Sequence, residues 1–239
     1  MQQSSIRTAL CTLLFGVAAF STNAQALDQG DWIFRIGASY VAPNDDSSVI
    51  TSSTLGPQAG TGVDVEDATS LSLTIGYMAT ENLGFELLGA YPFQHGIGPN
   101  SGLGAVLGSN SDIGSTRHLP PVFSVQWHFM PHSSVRPYVG VGVNYTHFFD
   151  THLKGNIVTV AGYDNLELDD SWGAAGQIGV DIDLGSSDAF LNLDVRYIDI
   201  DTEATVTEAA PGSGALGPKL TTDVDIDPWV YTISIGTTF

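Results

Sequence analysis

The stretch Thr69-Ser-Leu-Ser-Leu-Thr-Ile-Gly-Tyr-Met-Ala79 alternates without a slip: Leu71, Leu73, Ile75 and Tyr77 on one face, Ser70, Ser72, Thr74 and Gly76 on the other. Successive side chains of an extended chain point to opposite sides, so this reads as a β-strand with one apolar and one polar face. The same period recurs along the chain. Trp32, Phe34, Ile36, Ala38 and Tyr40 oppose Arg35, Gly37 and Ser39; Leu119, Phe123, Val125, Trp127 and Phe129 oppose Ser124, Gln126 and His128. Val139, Val141 and Val143 oppose Gly140, Gly142 and Asn144; Leu191, Leu193, Val195 and Tyr197 oppose Asn192, Asp194 and Arg196. Tyr231, Ile233, Ile235 and the terminal Phe239 oppose Thr232, Ser234, Gly236 and Thr238. Weaker alternation over Leu83–Phe93 and Trp172–Leu184 completes a set of about eight strands, the strand number of the smallest membrane barrels.

The connections decide the architecture. Ala79–Asn82, Met130–Val135 and Gly185–Asp188 are short, whereas Pro43–Ala68, Gln94–Arg117, Asp150–Asp170 and Thr202–Thr222 are each roughly 20 residues or longer, beyond the usual range. Short and long alternate strictly. A soluble sandwich has no reason for that; a barrel threaded through the bacterial outer membrane does, with tight turns inside and long loops outside. The expected fold is all-β: an eight-stranded antiparallel up-and-down transmembrane β-barrel with four long external loops and three short periplasmic turns.

The chemistry of the faces agrees. Aromatic residues sit near the ends of the apolar faces (Trp32, Tyr40, Tyr77, Tyr91, Phe93, Trp127, Phe129, Trp229, Phe239), as in the two interfacial girdles of a membrane barrel. Arg35, Glu86, Asp181, Asp194 and Arg196 fall on the opposite faces, pointing inward. A lipocalin-like soluble barrel would show the reverse. No segment offers the 18 consecutive apolar residues of a membrane-crossing helix. Residues 1–26 read as a cleaved secretory leader: Arg7, an apolar run from Ala9 to Phe20, then Ala24-Gln25-Ala26. Residues 27–239 form the barrel. The single cysteine, Cys11, lies in the leader, so the barrel has neither disulfide nor thiolate chemistry.

With 26 acidic against 7 basic residues, no surface exists for a nucleic-acid partner. Catalytic and metal motifs are missing: there is no HExxH, GxSxG or Walker sequence, and no serine is paired with a base in the manner of a wall-embedded hydrolase. Asp223, Asp225 and Asp227 resemble the opening of a calcium loop, but Pro228 follows and Ser234 stands where its closing glutamate belongs; they read instead as the start of the last strand. No enzyme activity, cofactor or metal is expected.

Function is then carried by the inward faces. Arg35, Glu86, Gln126, His128, Asp181, Asp194 and Arg196, with Asp183 and Asn192, should gather toward the periplasmic turns. The interior of eight strands is barely wider than its own side chains, so these residues would plug it. Nearer the outside, Leu88, Ala90, Pro92, Phe93, His95, Ile97, His118, Leu119, Pro120 and Phe148 are candidates to line a channel or touch a solute, with Leu103, Val106, Leu107, Ile157, Val158 and Val160 added from the loops. For His95 and His118 two readings stand side by side: contacts to a solute at the channel mouth, or caps on backbone groups freed where Pro92, Pro120 and Pro121 end strand pairing.

The segments Tyr77-Met-Ala-Thr-Glu-Asn-Leu-Gly-Phe-Glu-Leu-Leu88, Pro92-Phe-Gln-His95, His118-Leu-Pro-Pro121, Arg136-Pro-Tyr-Val-Gly-Val-Gly-Val-Asn-Tyr-Thr146, Ser171-Trp-Gly-Ala-Ala-Gly-Gln-Ile-Gly-Val-Asp181, Asp199-Ile-Asp-Thr202 and Asp227-Pro-Trp229 resemble, in this order, the OmpW family of outer-membrane proteins. The resemblance, which extends to AlkL-type alkane importers, implies a narrow apolar channel for passive uptake of small hydrophobic molecules across the outer membrane of a Gram-negative bacterium, with lateral release into the membrane. The alternative is a structural or receptor barrel of the OmpA or OmpX kind, serving adhesion, stress resistance or phage and colicin attachment without transport. Expected partners are small hydrophobic solutes, outer-membrane lipids and lipopolysaccharide, and the barrel-assembly machinery, which would read the terminal Phe239.

Overall fold

A computed structural model describes residues 26–185 and 189–239. Eight long strands form its frame: β1 (Trp32–Ala42), β2 (Ala68–Met78), β3 (Leu83–Ala90), β4 (Val122–His128), β5 (Val135–Leu153), β6 (Ser171–Asp183), β7 (Ala189–Ile198) and β8 (Trp229–Thr238). Each pairs antiparallel with its sequence neighbours, β1 also pairs with β8, and the ring is closed. Closure leaves no edge strand in the membrane, where an unpaired peptide group finds no water.

Alternation is inverted relative to a soluble protein. Along β2, Ser72, Thr74 and Gly76 are buried while Leu71 and Tyr77 are exposed, Leu71 by 64 %. Ile36, Val141, Ile178 and Ile233 are likewise bare, forming an apolar belt that only lipid can cover. Aromatic pairs bound the belt: Trp32–Tyr77 and Phe34–Phe239 at the turn end, Tyr40–Tyr231, Tyr197–Trp229 and Tyr145–Trp172 at the other. Two inward glycines set the bore. A Cβ on Gly179 would meet the Tyr138 ring at 2.3 Å, and one on Gly236 would meet Phe190 at 2.3 Å, so glycine there gives these rings their place inside.

The four long connections differ from the expectation of loops, being largely regular structure. Phe93–Pro99 and Gly114–Leu119 form a hairpin that pairs with the upper part of β5 and with Val63–Val65. Tyr163–Leu168, Asp201–Glu208 and Lys219–Asp225 form a second sheet, extended by Thr51–Ser52 and Gly56–Pro57. Two short helices, α1 (Ser101–Leu107) and α2 (Asn156–Thr159), join the wall, tied by Asn156 Nδ2 donating to the Leu107 carbonyl at 2.9 Å. These acid-rich segments alternate too: Leu220, Val224 and Ile226 are buried, while Asp223 and Asp225 are exposed. Asp223 and Asp225 thus belong to this upper sheet and not to the last barrel strand, which begins beyond Pro228 at Trp229.

A second difference lies at the prolines. Leu83–Phe93 and Leu119–Phe129 are each split, because a proline nitrogen has no proton to give the ladder. The β3–β4 ladder ends at Leu88 opposite Val122 and pairing resumes only at Phe93 opposite His118. Leu119 pairs with His147 in the upper hairpin instead. Of the segments read from sequence, residues 1–25 of the leader and residues 186–188 of one turn lie outside the described residues. On this topology Val106→Cys on α1 will be labelled in intact cells by a maleimide too bulky for porins. Glu81→Cys in the β2–β3 turn will be labelled only after permeabilisation, and the opposite pattern would invert the orientation.

Candidate functional site

The polar inward faces meet in one cluster. Arg35 on β1 donates through Nε and Nη2 to both oxygens of Asp181 on β6, at 3.2 and 2.8 Å, and through Nη1 to Glu86 on β3 at 2.8 Å. The other oxygen of Glu86 accepts from Arg196 Nη2 on β7 at 2.8 Å, and Arg196 Nε lies 3.6 Å from Asp194. Tyr138 donates to Asp194 at 2.9 Å, and Asn192 donates to Tyr138 and to Asp181. His128 contacts Gln126 at 3.2 Å, and Arg136 lies 3.6 Å from Asp183. Tyr138 and Phe190 cover the Arg35 guanidinium with their rings, at 5.3 and 5.6 Å. Every one of these side chains is buried, that of Asp183 with 4 % exposed. The free space among them is about 10 Å³, no more than one water molecule. They form a floor across the bore.

Above the floor the chemistry changes within one strand length. A cavity of about 150 Å³ lies between the two upper sheets, and among the described residues no charged side chain lines it. Ile97, Leu103, Val106, Leu107, Ile157, Val160 and Phe148 contribute from the segments singled out in the sequence. A smaller space of about 10 Å³ lies between this cavity and the floor, lined by Leu88, Ala90, Phe93, Pro120, Ile198 and Val230. His118 lines both; Ser72 and Leu88 line both the small space and the floor. Pro92 and Leu119 border the interrupted β3–β4 ladder without lining either space. The opposite wall, made of Tyr163, Leu166, Ala204, Val206, Leu220 and Val224, escaped sequence reasoning because its strands were read as loops. Tyr138 was missed although its even-numbered phase beside Gly140 marks it as inward.

His95 and His118 stack at 4.8 Å between ring centres, with Phe93 and Phe148 against them. They stand above the girdle, on the upper hairpin. His95 Nδ1 bonds to the Glu66 carbonyl at 2.6 Å, so this imidazole does cap a backbone group. Burial lowers the basicity of both: His95 falls below its ordinary value, and His118, further opposed by His95, falls to about 3. Elsewhere, Asp199, Asp201 and Asp227 bring carboxylates within 4.8 Å of one another, a grouping that sequence spacing hides because it joins the two ends of the long β7–β8 connection.

A closed ring with a lipid-facing apolar belt, paired aromatic girdles and a charged interior is a bacterial outer-membrane β-barrel. Residues 28–239 match the family described as OmpW family, and the chain belongs to it. It is 43 % identical to outer membrane protein W of Vibrio cholerae over 98 % of this chain and all of that one. It is 29 % identical to outer membrane protein AlkL of Ectopseudomonas oleovorans, over 92 % and 87 % of the two chains. The crystal structure of OprG from Pseudomonas aeruginosa superposes with a TM-score of 0.81 at 39 % identity, covering 90 % of this chain and 99 % of that one.

Two outcomes follow. Glu86→Gln leaves Arg35 and Arg196 without the carboxylate they share, and will destabilise the barrel by about 3–5 kcal/mol in urea unfolding from lipid vesicles. His118 takes up a proton near 6.5 when unfolded but only near 3 when folded. The unfolded chain therefore binds more protons between these values, and stability, complete above pH 6.5, falls as pH drops through that window. His118→Phe will flatten this slope; an unchanged slope would show that the imidazole is not held neutral.

Proposed function

We propose that this barrel carries small hydrophobic molecules passively across the outer membrane, receiving them in the upper cavity and releasing them sideways between β3 and β4. One arrangement carries the reading: an uncharged, largely apolar cavity lies above a floor of buried ion pairs, and between the two the pairing of β3 with β4 is interrupted, from Gly89 to Pro92 on one side and Leu119 to Pro121 on the other. The similarity to AlkL supports it as a family relation.

The energetics choose the exit. An apolar molecule gains roughly 25 cal/mol for each Å² removed from water, so the polar sugars of the outer leaflet are its barrier and the bilayer core its sink. Passing straight down would separate Arg35 from Glu86 and Asp181 inside the protein, at about 3–5 kcal/mol for each broken pair. Passing sideways breaks no ladder bond, because the prolines have already removed them. Cavity size restricts the cargo: about 150 Å³ suits a single small ring or a short chain.

Ala90 and Pro120 face the same small space from opposite sides of the gap. A disulfide between Ala90→Cys and Pro120→Cys will lower uptake of an apolar probe by cells expressing the barrel, and reduction will restore it. Unchanged uptake in the oxidised form, with flux increased by Glu86→Gln, would place the route through the floor. Uptake equal to that of cells lacking the barrel would leave a structural or receptor role.

A further inference from the structure

The two histidines stand in a largely apolar lining, between the large cavity and the small space below it. Among the described residues His118 alone lines both the large cavity and the small space behind the wall gap, so a molecule moving between them passes this ring and its stacked partner His95. The Glu66 carbonyl can only accept, so His95 Nδ1 must carry the imidazole proton. In a neutral ring that leaves Nε2 with a lone pair. It is buried, on a residue 1 % exposed, and has no partner among the described residues. The His118 side chain makes no hydrogen bond with any described residue, and the rings of His95, Phe93 and Phe148 pack against it.

A buried acceptor without a donor is unfavourable, by a margin comparable to a hydrogen bond, unless something arrives to satisfy it. In a cavity that otherwise takes hydrocarbon, this fixes the chemistry of the arriving group. It must donate a hydrogen bond, carry no charge that the apolar lining would strip of water, and sit at one end of an apolar body. We propose that the His95–His118 pair is a recognition subsite for hydroxylated hydrocarbons, phenols or short alcohols, whose O–H donates to His95 Nε2 while the apolar part occupies the upper cavity. The subsite rests on the uptake reading and names the cargo it favours.

The surroundings exclude the neighbouring classes. Carboxylates find no cation: among the described residues the lining carries none, Arg117 turns outward to Asp150 at 2.8 Å, and the charge that acts on His95 is the acid Asp67. A metal finds too few ligands, because His95 Nδ1 is committed and no third ligating side chain joins the pair among the described residues.

The test compares two molecules of nearly equal shape, 4-fluorophenol and 4-fluorotoluene, titrated by fluorine NMR into lipid nanodiscs holding the refolded barrel, with empty nanodiscs subtracted. The native barrel will bind the phenol more tightly than the toluene by about fivefold to tenfold, the size of one net hydrogen bond. His95→Asn keeps an N–H for Glu66 and, being shorter, places no acceptor where Nε2 stands. It will bring the ratio to about one without weakening the toluene. In the native protein, the phenol and not the toluene will shift the nitrogen-15 resonance of His95 Nε2, a reading independent of how any variant folds. Toluene bound without preference for the hydroxyl, or a preference that survives His95→Asn, would overturn the subsite alone. Failure of both compounds to bind would overturn the uptake reading and the subsite with it.

Discussion

Everything above and below the mid-bore depends on Arg35 and the two carboxylates it holds. Asp181 takes two of its N–H groups and Glu86 a third, and Glu86 passes its second oxygen to Arg196. Four strands on different sides of the ring, β1, β3, β6 and β7, are thereby joined across its interior. Two positive and two negative groups cancel, and each ion has its partner at hydrogen-bond distance. This is the condition under which buried charge is tolerated at all. The same network fixes register. A slip of one residue in β1 would carry Arg35 from the bore to the lipid face and Ile36 inward, and no lipid-exposed position accepts an arginine at mid-membrane without a penalty of about 2–4 kcal/mol.

With the bore closed, the upper structure acquires its meaning. A cavity above an open pore would be a vestibule; a cavity above a sealed floor is a dead end, unless the wall itself opens. The polarity of the inner surface changes at Ser72 and Leu88, which touch both the floor and the small space above it. From there outward the lining is apolar except for the histidine pair, Gln58 and scattered hydroxyls. The acidic residues of the long connections, which give the chain its net charge of −19, are kept to the outer surface by the same period-two alternation that faces lipid lower down.

The barrel was legible from sequence because a membrane strand obeys one rule along its whole length: every second residue meets lipid. Leu71, Leu73 and Tyr77 state that rule plainly, and Arg35, Glu86, Asp181 and Arg196, being the charges on the other phase, could be assigned to the interior at once. The upper sheets were not legible in the same way. Glu167, Glu203 and Asp223 stand on their outer faces, where water and not lipid is the neighbour, so Tyr163–Leu168, Asp201–Glu208 and Lys219–Asp225 look like acidic loops unless Leu166, Ala204, Val206, Leu220 and Val224 are read against them. The histidine pair was visible as two residues flanked by prolines, but not as a stack. That contact is made across the hairpin, and it needed the pairing of Phe93 with His118 to place the rings together.

The interrupted ladder is the point at which these features meet. A gap in a membrane sheet strands peptide groups, and the chain meets this with two devices. On the β4 side, Pro120 and Pro121 have no N–H to strand, and their freed carbonyls are not all abandoned: Pro121 accepts from Tyr145 N and from Asn144 Nδ2. On the β3 side, the backbone turns to β2 instead, where Tyr91 N donates to Leu71 and Ser70 Oγ donates to the Tyr91 carbonyl. The opening is therefore a satisfied structure and not a frayed one. Because it lies at the upper girdle, between the ion-pair floor and the apolar cavity, it sits at a level where the proposed sideways route would exchange an apolar lining for an apolar solvent without breaking a ladder bond.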